Sequence, residues 1–206
     1  KFRYTLQKEL GLKKLKVGHA GTLDPLATGL LIICVGKKTK EISAYMGQSK
    51  EYVAQITFGG TTPSYDLESE IDATFPTAHI DRGAIEAVLP QFTGDIQQYP
   101  PIFSAIKQGG VRIYEKARAG EEVIVEPRSI TIHELEILSF ENNVLAIRVL
   151  CGKGTYIRSL AHDLGKALNS GAHLSGLRRT KIGSFEADGT KDPIQWSEYF
   201  KEVLER

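Results

Sequence analysis

Two short segments of this 206-residue chain hold residues that could do chemistry together. The first is Gly18-His19-Ala20-Gly21-Thr22-Leu23-Asp24-Pro25-Leu26-Ala27-Thr28-Gly29, with one carboxylate and one imidazole among glycines. The second is Gly152-Lys153-Gly154-Thr155-Tyr156-Ile157-Arg158. If the two meet, Arg158 can hold Asp24 ionised and oriented through a charge-assisted hydrogen bond. Tyr52 and Tyr156 can then stack on a planar substrate. A second account of each residue stands beside this one. Asp24 also suits a helix N-cap, with Pro25 at the first helical position and Gly29 ending the turn. Arg158 also suits a structural salt bridge, and the tyrosines a half-buried core. Motifs of other chemistries are absent: the five histidines are scattered, no Cys or His spacing suits a metal, and no phosphate loop or dinucleotide fingerprint follows a strand. A metal-independent site without a cofactor is the expectation.

The elements that must position these residues follow from periodicity. Phe2, Leu6 and Leu10 lie at helical spacing before Gly11, and residues 30–35 form an apolar run that predicts a buried strand. Residues 39–46 read as a short helix, and 52–58 alternate as a strand that ends at Gly59-Gly60. Residues 61–80 are polar and acidic and predict a loop. Asp81 suits the cap of a helix carrying Ile85, Val88, Leu89 and Phe92, which Pro90 ends or kinks. Residues 122–126, 130–140 and 144–151 read as strands, the last two joined at Glu141-Asn142-Asn143. Thr155 suits the cap of a helix with Ile157, Leu160, Ala161, Leu164 and Leu168 on one stripe. Strands and helices alternate irregularly, which predicts an α+β fold on a mixed, mainly antiparallel sheet flanked by helices and loops.

Composition is that of an ordinary soluble protein, 41% hydrophobic and 25% charged, and no apolar run reaches membrane-spanning length. No membrane partner is expected, and cytoplasmic localisation is. Cys34 and Cys151 lie in apolar runs and predict buried thiols. A net charge of +1 hides segregation: residues 1–40 carry nine Lys and Arg against Glu9 and Asp24, whereas 41–96 carry nine acids against Lys50 and Arg82. Residues 97–120 and 148–181 are again basic, which can build one face for a polyanion such as RNA. Arg178-Arg179-Thr180-Lys181 reads as part of that face. The long loop at 94–120 interleaves Tyr99, Phe103 and Tyr114 with Lys107, Arg112 and Arg118, a mixture suited to gripping a nucleic-acid backbone and unpaired bases.

The Gly18–Gly29 stretch resembles the catalytic motif of the TruB family of pseudouridine synthases. Lys50-Glu51-Tyr52, the segments 98–107 and 112–120, residues 151–158 and residues 173–180 resemble four further family segments in the expected order. The resemblance implies the pseudouridine synthase fold and isomerisation of uridine 55 in the T arm of transfer RNA. It makes Asp24 the nucleophile, Arg158 its ion-pair partner, Tyr52 the base-stacking residue, and Tyr156 and Leu177 the lining of the uracil pocket. His19 would fill the space of a flipped-out base, and Lys107, Arg112, Tyr114 and Arg118 would belong to a thumb-like RNA-binding loop at about 97–129. It implies no cofactor and no obligatory protein partner. Residues 1–185 would be the catalytic domain without the family's first strand and Lys-Pro loop, and 186–206 a short C-terminal segment rather than a PUA domain, so a fragment or a short family version is expected. Two rival expectations are a guide-RNA-dependent ribosomal RNA pseudouridylase and a non-catalytic RNA-binding or folding module. The joint presence of Asp24, Tyr52, Tyr156 and Arg158 favours an enzyme.

Overall fold

The computed structural model describes residues 2–104, 107–108, 111–112 and 125–204. Its strands are β1 (Val17–His19), β2 (Thr28–Gly29), β3 (Ile33–Val35), β4 (Lys50–Phe58), β5 (Gly60–Thr61), β6 (Ala73–Thr74), β7 (Gly94–Gln98), β8 (Lys107–Gln108), β9 (Val111–Arg112), β10 (Arg128–Glu141), β11 (Val144–Cys151), β12 (Ala172–Ile182) and β13 (Phe185–Glu186). Its helices are α1 (Phe2–Glu9), α2 (Ile42–Gly47), α3 (Arg82–Val88), α4 (Ile157–Ala167) and α5 (Pro193–Leu204).

The main sheet runs β13-β12-β4-β11-β10-β7 with every neighbouring pair antiparallel, and β2 adds to β12 in parallel. This is the mixed, mainly antiparallel α+β sheet expected from the sequence. Alternation decides which face is buried. Tyr52, Ala54, Ile56 and Phe58 of β4 and Leu145, Ile147, Val149 and Cys151 of β11 share one face. Against it packs the α4 stripe of Ile157, Leu160, Ala161, Leu164 and Leu168, with Ile85 of α3. Each such side chain contributes roughly 1.5–3 kcal/mol on burial. On the opposite face Arg148 pairs with Glu51, Glu134 and Glu136 across three strands.

Local signals explain the boundaries. Asp81 accepts a hydrogen bond from Ala84 N at 2.7 Å and caps α3. Asn142 and Asn143 take φ of 50° and 61°, the left-handed pair a two-residue hairpin requires between β10 and β11. Four expectations need correction. The loop expected at 94–120 begins as strand β7, paired with β10 over Gly94–Gln98. Residues 30–35 are not one buried strand: only 33–35 pair, with β1, and Leu31 and Ile33 are 38% and 39% exposed. The residue flanking α4 is Tyr156, not Thr155, whose hydroxyl donates instead to Gly152 O. The strand expected at 122–126 falls largely outside the described residues, and 125–126 are not strand. Cys34 and Cys151 are buried free thiols. Among the described residues no helix is long and apolar enough to cross a membrane.

Helix α4 presses closely on β12 at Gly165. A Cβ there would lie 2.5 Å from Ala172 N and 2.8 Å from Ala172 Cβ. Helix propensity favours Ala over Gly by about 1 kcal/mol, but overpacking against backbone costs about 1–3 kcal/mol. The clash is with backbone and cannot relax, so it wins and Gly165→Ala lowers stability, by up to about 2 kcal/mol. Urea denaturation reads this directly, and a raised midpoint would refute the packing argument.

Candidate active site

The loop after β1 brings Asp24 to the first turn of α4. Asp24 caps no helix. Its carbonyl accepts from Ala27 N at 2.9 Å to close a turn, and Pro25 keeps Asp24 out of helical geometry. The carboxylate is thereby free to face Arg158. Arg158 Nη2 donates to Asp24 Oδ1 at 3.0 Å, and Nε lies 3.0 Å from Oδ2, near enough for the charges though not aligned as a hydrogen bond. The two partners differ sharply in exposure, 4% for the Arg158 side chain against 35% for that of Asp24. A buried guanidinium thus holds a carboxylate that still faces solvent.

Arg158 is placed from both sides. Gln98, at the end of β7, donates from Nε2 to Tyr156 O at 3.0 Å and accepts from Tyr156 N at 2.8 Å, fixing the start of α4. Ser159 Oγ donates to Tyr99 O at 2.7 Å. Nη1 donates to Ser64 O at 3.3 Å and to Phe103 O at 3.1 Å.

A second carboxylate, overlooked in the sequence, completes the arrangement. Asp66 Oδ2 lies 3.6 Å from Arg158 Nε, and its side chain is 5% exposed. Asp66 Oδ1 accepts from Ser64 Oγ at 2.6 Å and from Glu68 N at 3.0 Å. Tyr65, with φ 62°, sets this turn, and its ring stacks on His162 of α4 at 4.0 Å between centroids. Asp66 sits among Glu68, Glu70 and Asp72 in a polar loop, and no local pattern separates it from them. Only its burial does.

Asp24 and Asp66 line a cleft whose other walls include Leu26, Ala27, Leu174 and Leu177. Leu177 is thus one wall of this cleft. Tyr52, 9% exposed, faces the region between Arg179 and Asp24; burial pushes its phenol above the usual tyrosine range, and the Arg179 charge pulls the other way. Burial likewise pushes the Tyr156 phenol up, with Arg128 opposing. Both phenols feel the Asp24 charge, although neither ring lines the cleft. The apolar walls and the two carboxylates suit a flat, polar-edged ring beside an ionised carboxylate. His19 is exposed at the end of β1, opposite Ile33, and is not part of the cleft wall.

Lys107 and Arg112 pair as backbone in the β8–β9 ladder, while Tyr114 and Arg118 lie outside the described residues. Part of the expected basic face at 148–181 is absorbed internally. Arg148 is bound by three glutamates, Arg158 is buried at the site, and Arg179 is 1% exposed. Among the described residues no group of three or more His, Cys, Asp or Glu side chains could hold a metal ion.

Comparison with known proteins gives a consistent picture. Residues 7–157 match the model of the TruB family pseudouridylate synthase N-terminal domain, and residues 158–201 that of the tRNA pseudouridylate synthase B C-terminal domain. The tRNA pseudouridine synthase B of Flavobacterium johnsoniae is 59% identical over 193 residues, covering 93% of this chain and 84% of the relative. That of Parabacteroides distasonis is 54% identical over 202 residues, covering 98% and 86%. The crystal structure of a Cbf5-Nop10-Gar1 complex aligns with a TM-score of 0.66 at 33% identity, over 90% of this chain and 45% of that one. An H/ACA RNP bound to a substrate RNA containing 2′-deoxyuridine aligns with a TM-score of 0.68 at 29% identity, over 97% and 49%. This chain thus spans about half the length of those two solved chains.

The helix that delivers Arg158 also carries an acid at odds with its surroundings. Burial pushes the Asp163 carboxyl up to about 6, against the opposing pull of Lys166. Its folded pKa exceeds the unfolded value, so the folded state holds the proton longer and loses stability as pH rises through about 6. Asp163→Asn therefore raises the urea midpoint over the parent at about pH 7.5, and the gain shrinks towards about pH 4.5. A gain that grows on acidification would contradict this sign.

Proposed function

The chain belongs to the TruB family of pseudouridylate synthases, and from that premise we propose that it isomerises uridine 55 in the T arm of transfer RNA to pseudouridine. The observation that carries this reading is the Asp24 carboxylate, partly exposed at an apolar-walled cleft and held from behind by buried Arg158. The reaction breaks the N1–C1′ bond, turns the freed base and joins C5 to C1′. C5 loses a proton and N1 gains one, so neither an oxidant nor a group donor is consumed.

In this reading Asp24 is the nucleophile that divides the difficult step in two. Arg158 orients it through the charge-assisted hydrogen bond to Oδ1. Asp66 holds Arg158 in turn and meets no substrate atom itself. Leu177 and Tyr156 enclose the base. Tyr52 stacks on it; its phenol is protonated at neutral pH in any case, and burial pushes its pKa further up, which suits stacking and hydrogen-bond donation. Flipping the base out of the folded loop costs a few kcal/mol, about what one good stacking contact and one filled gap can offset. His19, exposed near the loop entrance, fills that gap. Lys107, Arg112, Tyr114 and Arg118 grip the RNA backbone. Residues 1–185 are read as the catalytic domain and 186–206 as a short C-terminal segment, acting in the cytoplasm. The tRNA substrate is preferred to a guided ribosomal target because the tRNA-modifying relatives are far more similar than the Cbf5 chains.

Incubating the protein with unmodified transfer RNA and mapping pseudouridine should give one modification in the T loop, and its absence there would refute the substrate. Asp24→Asn should lower the rate by at least roughly a thousandfold, about 4 kcal/mol of barrier, with RNA affinity kept. Near-normal turnover would remove Asp24 from the chemistry. Tyr52→Ala should reduce turnover more than affinity; equal losses would make it a binding residue only.

A further inference from the structure

Arg179 is the largest fully buried side chain among the described residues, 1% exposed on β12. Its Nε donates to Leu30 O at 2.8 Å, Nη2 to Gly21 O at 3.1 Å and Nη1 to Thr22 O at 3.4 Å. Among the described residues no carboxylate forms an ion pair with it. A cation buried among carbonyl dipoles and the Tyr52 phenol, with no carboxylate beside it, is costly, and an apolar side chain of similar volume would fill the space at lower cost. Filling space is therefore a poor account of an arginine here.

The three carbonyls explain it better. Gly21 and Thr22 precede Asp24, and Leu30 follows it, so one planar fork binds the loop on both sides of the carboxylate. The backbone of the same residue adds a second tie. Leu30 N donates to Arg179 O at 2.8 Å, and Thr28 and Gly29 pair in parallel with Arg178 and Arg179. Gly29 has φ 97°, and a Cβ there would lie 2.2 Å from Arg179 O, so the contact requires glycine. Within the loop the turn at Asp24 has only the Ala27 N to Asp24 O bond of its own. Opposite Arg179 on β4 stands Tyr52, whose phenol shares its field.

We propose that Arg179 is a positioning residue for the isomerisation: it ties the loop 21–30 to β12 by both ends, so that the Asp24 carboxylate meets Arg158 and the bound uridine in one orientation. The proposal rests on the reading under Proposed function. A small misplacement of a nucleophile costs rate steeply while leaving binding intact. Lysine keeps the charge but has no fork to span both ends of the loop.

The test uses Arg179→Lys and Arg179→Met in the full chain, with single-turnover pseudouridine formation on unmodified transfer RNA, RNA affinity, thermal midpoint and amide hydrogen exchange. Arg179→Lys should lower the single-turnover rate by roughly a hundredfold with affinity within about threefold. Exchange of the amides in 21–30 should speed up by at least about tenfold while those of β4 and β11 hold. A near-parent rate, unchanged loop exchange, or matched losses of rate, affinity and midpoint would overturn the proposal. Unfolding of both variants would overturn it too, by making the residue structural alone. If the parent protein makes no pseudouridine, the functional reading fails, whereas the exchange measurement still decides whether Arg179 ties the loop.

Discussion

Burying the Arg158 guanidinium commits the fold to surrounding it with acceptors, because an unpaired charge at that depth costs several kcal/mol. The acceptors come from distant parts of the chain: Asp24 from the loop after β1, Ser64 and Asp66 from the loop after β5, and Phe103 from the segment after β7. None of these segments has a regular element of its own at that point. Satisfying one side chain therefore orders three loops at once. The cost of burying the charge and the order of the site are the same fact seen from two sides.

The sheet supplies the rigid reference against which those loops are placed. A one-residue slip in any strand would turn its whole buried set outward, so the register is firmly specified. One interruption in that register falls where the site needs it. Between Leu174 and Gly176 the β12 ladder shifts against β4, and Ser175 bonds instead to Thr57 Oγ1 at 2.7 Å and to Gln55 O at 3.2 Å. The four residues through this irregularity, 174–177, line the cleft. A bulge re-aims side chains locally without loosening the strand. Gln98 does the corresponding work at the other wall, since its amide joins the end of β7 to the start of α4 by two hydrogen bonds.

What could be read from the chain follows the range of the interaction involved. The β11 strand, the Asp81 cap and the Asn142-Asn143 turn depend on neighbours within a few residues, and each stands where local rules put it. The pairing of Asp24 with Arg158 spans 134 positions, and no local rule reaches it: it takes the supposition that two unusual segments meet, or the family resemblance. Asp66 had no such mark. Arg179 was misread for a related reason: beside Arg178 and Lys181 it looks like surface charge, and only tertiary packing separates the exposed Arg178 from its buried neighbour. Residues 30–35 failed differently. Their apolar character is genuine, but they cross an edge of the structure where Leu30 and Cys34 are covered and Leu31 and Ile33 are not.

Two carboxylates on one guanidinium leave that trio with a net negative charge, which is an odd feature in a site meant for a polyanion. Exposure resolves it. Asp66 is buried and its charge is met by Arg158, Ser64 and the Glu68 amide, so Asp24, with its side chain 35% exposed, is the carboxylate of the two that faces solvent. Attraction for RNA must then come from cations outside the trio. Lys13, Lys14 and Lys16 are exposed on the segment leading into β1, and Lys153 and Arg178 are exposed on the segments that hold Arg158 and Arg179. At physiological salt an exposed charge acts over about 8 Å, so these cations attract a polyanion only where it comes close to them. The buried Arg158 and Arg179 are committed to Asp24 and to the loop that carries it, while the exposed cations face solvent, and a chain of net charge +1 can hold both sets because they do not overlap.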